Sequence, residues 1–303
     1  MKSLRGTFAL LLTAFIWGVA FVAQQVGGET LGAFSFNGIR SFIGSAVLIP
    51  VVWFINRGKT DAQREAVSLK ATVIGGIVCG TLLFTASSLQ QVGLLYTTVG
   101  KAGFITALYI VCVPVFSIFL GNKCGLRIWV AVAIAVIGLY LLCMTGGLYL
   151  SRGDALMVLC AFAFSCHILC VDYFCVRSDN VMMSCIQFFT CGTLSVLPML
   201  LLEHPTAAQM QAALIPLLYA GVLSCGVAYT LQIVGQKYVN PAAASIIMSL
   251  EAVFSVLAGW VILHQTMTGR ELLGCTLMFS ASVLAQLPGK KAEVQTDSAE
   301  EAL

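Results

Sequence analysis

The sequence predicts an all-α membrane protein of ten transmembrane helices, arranged as two five-helix repeats of inverted topology. Three observations carry this expectation. The 303 residues are 59% hydrophobic and only 10% charged, with mean hydropathy +0.96, whereas a soluble globular chain carries about 25% charged residues. The apolar runs have the roughly 20-residue length of a membrane-crossing helix, not the roughly 10-residue alternating segments of a barrel strand. The pattern of the first half also recurs in the second.

The ten runs are 7–26, 33–55, 71–92, 102–120, 128–145, 154–175, 181–202, 213–234, 242–263 and 271–288. The first is followed by a polar Gly27-Gly28-Glu29 turn with no small-residue cleavage site, and reads as a retained helix, not a signal peptide. The second contains Arg40. The loop after it, Asn56 to Lys70, is the longest, and none has room for a soluble catalytic domain. The third and eighth carry Gly75-Gly76 and Gly80, and Gly221 and Gly226, small residues that let helices approach closely. Pro114 should bend the fourth, either as a gating element or only as a shape of the wall. The sixth holds His167 and Asp172, the seventh Gln187 and the ninth Glu251. The tail 289–303 is polar, acidic at its end, and expected to be disordered and cytoplasmic.

An even number of spans puts both termini on one side, and Lys and Arg choose it. With the N-terminus inside, the cytoplasmic segments hold Lys2, Arg5, Arg57, Lys59, Arg64, Lys70, Lys123, Arg127, Arg177, Lys237, Lys290 and Lys291, against Arg152 and Arg270 outside. This predicts a multi-pass protein of the cytoplasmic membrane with both termini cytoplasmic. The net charge of +3 is a topology signal and gives no sign of a nucleic-acid partner.

The repeat is legible in order. Arg5-Gly6, Leu12 and Ala14-Phe15 match Arg152-Gly153, Leu159 and Ala161-Phe162 at an offset of 147, and Ile39-Arg40-Ser41-Phe42 matches Ile186-Gln187-Phe188-Phe189 at the same offset. Leu89-Gln90-x-Val92-Gly93-x-x-Tyr96 matches Leu231-Gln232-x-Val234-Gly235-x-x-Tyr238 at 142, Val115-Phe116-Ser117 matches Val253-Phe254-Ser255 at 138, and Arg127 matches Arg270 at 143. Five spans per half make the halves enter the membrane in opposite directions, the arrangement of secondary transporters with a site between the repeats. The expected units are 1–145, 146–288 and the tail.

The segments Phe15-Ile16-Trp17-Gly18, Leu89–Tyr96, Pro114-Val115-Phe116 and Ser249-Leu250-Glu251-Ala252-Val253-Phe254, together with Arg40, give a resemblance to the EamA family of the drug/metabolite transporter superfamily. The likeness runs from about residue 4 to 288. It implies the 5+5 inverted fold and movement of small organic metabolites, often amino acids and frequently by export. The chain departs from the family at Ala252, where Pro is usual after the Glu, which should leave helix nine straighter than helix four. It departs also at Asn122-Lys123 and His264-Gln265, where relatives often carry Gly-Glu.

Polar groups inside spans are the candidate site residues, because each charge there costs about 2.5–3.5 kcal/mol on insertion scales. Arg40 can bind a substrate carboxylate, pair with an acid such as Glu251, or tie helices through backbone carbonyls. Glu251 and His167 are proton-coupling candidates, each with a purely structural reading beside it. Trp17, Gln90, Tyr109, Tyr229 and Gln232 would line a cavity for an organic ligand. Lys101 would guide an anion to the outer mouth or anchor the helix at the interface. Asp172 and Arg177 read as an interfacial charge cluster. Cys166, His167 and Cys170 have a helical spacing that invites a metal, but no metal and no cofactor is expected, since cysteine also serves as a small apolar residue. There is no GxxxxGK[ST] motif for direct ATP drive. The function expected is alternating-access transport, with a lipid-handling factor or intramembrane enzyme as the rival. The expected partners are a small-molecule substrate and the lipid bilayer, with a homodimer left open.

Overall fold

The computed structural model describes residues 2–58, 67–96, 99–121, 124–143, 152–262 and 268–287. The tail 289–303, Asn122-Lys123 and His264-Gln265 lie outside the described residues. Among those described, every regular element is helical. The first half comprises α1 (Lys2–Leu31), α2 (Ala33–Gly58), α3 (Leu69–Leu94), α4 (Val99–Thr106), α5 (Tyr109–Phe119) and α6 (Leu126–Cys143). The second comprises α7 (Arg152–Cys175), α8 (Asn180–Leu202), the short α9 (Ala207–Ala212) and α10 (Leu214–Leu218), a π-helical segment (Tyr219–Ala228), α11 (Tyr229–Gln236), α12 (Pro241–Met248), α13 (Glu251–Ile262) and α14 (Gly269–Gln286).

Among the described residues, seven helical stretches are long and apolar enough to cross a membrane: Leu4–Leu31, Ala33–Gly58, Leu69–Leu94, Arg152–Cys175, Asn180–Leu202, Leu214–Gln236 and Pro241–Ala258. Gly103–Phe119 and Leu126–Leu141 are apolar but shorter. α14 is not among the seven, because Arg270, Glu271 and Gln286 at its ends lower its apolar character. Large apolar side chains such as Phe8, Phe54, Leu201 and Ile215 point outward, a surface that suits lipid and not water. The protein is a multi-pass membrane protein.

Helix pairings between the halves come in matched sets. α2 lies along α8, and α6 along α14, so equivalent helices meet. α1 packs on α11 and the π-helical segment, as α7 packs on α3. α1 also packs on α13, as α7 does on α5, and α2 meets the π-helical segment as α8 meets α3. Glycines permit the closest crossings. A Cβ on Gly6 would lie 2.9 Å from the Gly235 carbonyl oxygen, and one on Gly235 would lie 3.0 Å from that of Gly6. Gly93 and Gly153 make the equivalent contact at 3.3 and 2.9 Å.

Four features differ from the expectation or were not foreseen. The polar Gly27-Gly28-Glu29 is not a turn: it lies within α1, and the chain reverses at Gly32, whose φ of +91° favours glycine. Gly27 is needed there because Phe36 fills the space where a Cβ would stand, 2.1 Å from the ring, and Gln25 Nε2 donates to Glu29 Oε1 one turn on, which supports the helix. Helix four breaks at Ala107-Leu108, ahead of Pro114, which sits inside α5. There the Leu108 and Ile110 amides donate to carbonyls three residues back, Ile105 and Ala107, tightening the turn.

Helix nine is not straighter than helix four. It is interrupted at Ser249-Leu250, although Ala252 replaces the proline. Serine does what proline would have done: Ser249 Oγ donates to Ile246 O and Ser255 Oγ to Ala252 O, at 2.8 and 2.9 Å. Such back-bonding competes with the amide ladder and bends helices, and Leu250 N accordingly reaches Ile247 O instead of the residue four back.

The π-helical segment of helix eight is the fourth feature. Gly80 approaches Gln187 O and Thr190 Cβ, and Gly221 approaches Arg40 O and Ile43 Cβ. Gln187 and Thr190 are the 147-residue counterparts of Arg40 and Ile43, so Gly80 and Gly221 are equivalent. From Gly80 to Gln90 is ten residues, but from Gly221 to Gln232 is eleven. The extra residue is absorbed by i to i+5 winding.

Candidate functional site

Each irregularity delivers a polar side chain. Tyr109 opens α5 directly after the break in helix four, Glu251 opens α13 after the break in helix nine, and Tyr229 opens α11 after the π-helical segment. All three reach one cavity between the halves, together with Trp17, Gln24, Arg40, Gln90, Thr106, His167, Ser224 and Gln232. The cavity holds about 520 Å³ of space not filled by atoms. It is narrow and pinched by its own side chains.

Arg40, 6% exposed, is held by neutral groups. Nε and Nη2 donate to Asn37 Oδ1 at 3.0 and 2.7 Å, and Nη1 donates to Gln24 Oε1 at 2.9 Å. The guanidinium lies 5.5 Å from the Phe36 ring. Asn37 is fixed in turn by donating to Ser87 Oγ at 2.6 Å. Of five guanidinium N–H groups three are used. Its hydrogen-bond partners among the described residues carry no negative charge, so the pairing with Glu251 weighed from sequence does not form here.

Glu251 Oε1 accepts a hydrogen bond from Tyr109 Oη at 3.1 Å. Trp17 and Tyr229 rings meet at a tilt of 57° with centroids 4.5 Å apart, and Tyr229 meets His167 edge-on at 6.1 Å. His167 Nε2 lies 3.2 Å from Oε1 of Gln187, the repeat counterpart of Arg40. Three groups on the wall have no hydrogen-bond partner among the described residues: Trp17 Nε1, His167 Nδ1 and Gln232 Oε1. Together these supply a cation, a carboxyl, an aromatic box and unspent donors and an acceptor, the inventory for a small polar organic ligand.

Trp17, Arg40, Gln90, Tyr109, His167, Tyr229, Gln232 and Glu251 thus share one chamber. Lys101 falls in α4, but its side chain lies outside the described residues. Asp172 and Arg177 line a separate cavity. Cys166 is exposed while His167 is buried and turned to Gln187, and among the described residues no three His, Cys, Asp or Glu side chains are grouped to hold a metal.

The segments of helices one and nine that carried the resemblance touch each other. A Cβ on Gly18 would lie 2.5 Å from Phe254 Cβ and 2.8 Å from Glu251 O, and the Phe15 and Phe254 rings meet edge-on at 5.4 Å. The sequence matches the EamA-like transporter family twice, over residues 4–144 and 151–286. The chain belongs to the EamA-like transporter family. An uncharacterized transporter of Archaeoglobus fulgidus is 28% identical over 290 residues, covering 95% of this chain and 87% of its own. The uncharacterized transporter YoaV of Bacillus subtilis is 24% identical over 281 residues, covering 89% and 92%. A crystal structure with 19% identity superposes with TM-score 0.75 over 93% of this chain and 96% of its own, a likeness of fold.

Within this EamA-like transporter, several lining residues escaped the sequence reading. Phe21 and Gln24 follow Trp17 at i+4 and i+7, one helix face, so Trp17 alone pointed to them. Phe164 is the 147-residue counterpart of Trp17 and also lines the cavity. Asn37, which braces Arg40, lies one turn before it. Thr106 and Ser224 gave no signal, because their placement depends on the helix-four break and the π winding.

Proposed function

We propose that this chain is a secondary transporter that moves a small organic metabolite, most simply an amino acid or related zwitterion, by alternating access across the cytoplasmic membrane. In this reading ten helices form two inverted five-helix units, 1–145 and 146–288, with both termini cytoplasmic, and the chemistry is transport without catalysis. The observation that carries it is Arg40: a buried guanidinium in a chamber between the halves, braced by Gln24 and Asn37, with two N–H groups unspent and no acidic partner among the described residues. A charge kept in that state costs free energy, and a substrate carboxylate offsets the cost by taking the remaining fork. Glu251 with Tyr109 offers the opposite pole for an ammonium group. Export follows the family's habit.

The chamber's polar lining by Arg40, Gln90, His167, Gln232 and Glu251 supports transport of a polar solute over lipid handling. The test compares metabolite levels in cells making and lacking the protein, then repeats the flux measurement with Arg40→Lys. That variant keeps the charge and loses the planar fork, so flux should fall at least about tenfold, the cost of one charge-assisted bond of roughly 1.5–3 kcal/mol. Full flux with Arg40→Ala at normal membrane levels rejects the substrate role.

A further inference from the structure

A second cavity, more open than the central one, lies where α7 and α11 end, walled by Leu169, Asp172, Gln236 and Val239 and rimmed by Arg177 and Lys237. Two acceptors face it, one half-buried and one fully buried. Asp172 stands in the last turn of α7, where the helix dipole disfavours a carboxylate, and its side chain takes no hydrogen bond among the described residues. Gln236 is 3% exposed. Its Nε2 donates to Ile168 O at 3.1 Å, which fixes the orientation of the amide and leaves Oε1 buried without a partner among the described residues.

The two cavities share a wall. Gln236 is one turn beyond Gln232 on α11, and Asp172 one turn beyond Ile168 on α7. Gln232 and Ile168 line the central chamber, so the Gln236–Ile168 bond spans the partition. Arg177 is occupied elsewhere: Nη1 donates to Tyr173 O at 2.9 Å and the guanidinium lies 4.4 Å from the Tyr173 ring.

We infer that this cavity is a cytoplasmic entry site for the cationic group of the substrate, in which a protonated amine is held between the Asp172 carboxylate and Gln236 Oε1 ahead of the partition. An ammonium supplies donors to both acceptors and places a positive charge at the negative end of α7. Lys237 at the rim then meets the anionic end of a zwitterion. The inference rests on the transport reading for its sidedness and for the identity of its ligand.

The test uses charged thiol reagents, so it does not depend on flux. In full-length protein lacking reactive native cysteines, Leu169→Cys is labelled in inside-out vesicles with a trimethylammonium methanethiosulfonate or its sulfonate analogue. Asp172 is one turn away, roughly 5–6 Å between Cβ atoms. The cationic reagent should react faster, and Asp172→Asn should lower its advantage roughly three- to tenfold, as a unit charge at that separation predicts. Asp172→Glu should keep it. Val239→Cys reports from the same wall should Leu169→Cys fail to fold. Equal rates for both reagents, a faster anionic reagent, indifference to Asp172→Asn, or labelling only from the outer face overturns the inference. Loss of the transport reading looks different: no metabolite flux by purified protein while the labelling preference persists.

Discussion

Glu251 is the first residue of α13, and its carboxyl is tied to the chain through Tyr109 Oη alone among the described residues. A single neutral donor is weak compensation for a buried charge, which suits a group that gains and loses a proton as the chamber changes. Glu251→Gln keeps the size and the acceptor for Tyr109 while fixing the neutral state. Substrate exchange should persist in proteoliposomes, and the response of net flux to an imposed pH gradient should vanish. A variant that still follows the gradient as the parent does makes Glu251 a structural residue. At this scale the sequence was informative wherever a polar group stood at odds with its apolar surroundings: Arg40, Glu251, His167 and Gln232 were all conspicuous for that reason. Gln24 and Asn37 were less so, although they decide what Arg40 can bind, because an amide near a span end has many ordinary explanations.

The helices themselves were legible from apolar length, and their irregularities were not. Pro114 drew attention to helix four, yet helix nine breaks as well, through serine hydroxyls that leave no mark on hydropathy. The π-helical segment was written in the sequence only as one residue of extra spacing between Gly221 and Gln232, unreadable until the Gly80 and Gly221 contacts showed which residues correspond. That segment is held open by its neighbours: Tyr219 Oη donates to Ile16 O at 3.2 Å, and Thr13 Oγ1 to Ala228 O at 3.0 Å. Deleting Val222 restores the spacing of helix three, which runs as plain α-helix. The variant should reach the membrane with unchanged helical circular dichroism, but its transport should fall severely, because Ser224 leaves the cavity wall. Transport at the parental rate would mean that the winding merely accommodates an insertion.

For the whole molecule, the matched helix pairings place Gly6 against Gly235 and Gly93 against Gly153 as repeat mates. If the halves are inverted, these contacts lie at opposite mouths of the chamber, the first cytoplasmic and the second external. Both are closed in the structure, backbone against backbone, which agrees with the pinched central cavity. Alternating access then requires one to part while the other holds, and either can be wedged. A side chain at these positions meets carbonyl oxygen about 3 Å from its Cβ and cannot be accommodated by a rotamer change; overpacking of this kind costs about 1–3 kcal/mol, enough to shift a two-state equilibrium by one to two orders of magnitude. Gly235→Leu should therefore favour the inward-open state and Gly93→Leu the outward-open state. The reporter is Met248→Cys on the chamber wall, in protein without reactive native cysteines. Impermeant thiol reagent should reach it mainly from the cytoplasmic face with Gly235→Leu and mainly from the external face with Gly93→Leu. Opening to the same face in both variants would refute the inverted arrangement, whereas loss of flux alone would not, since either wedge stops the cycle.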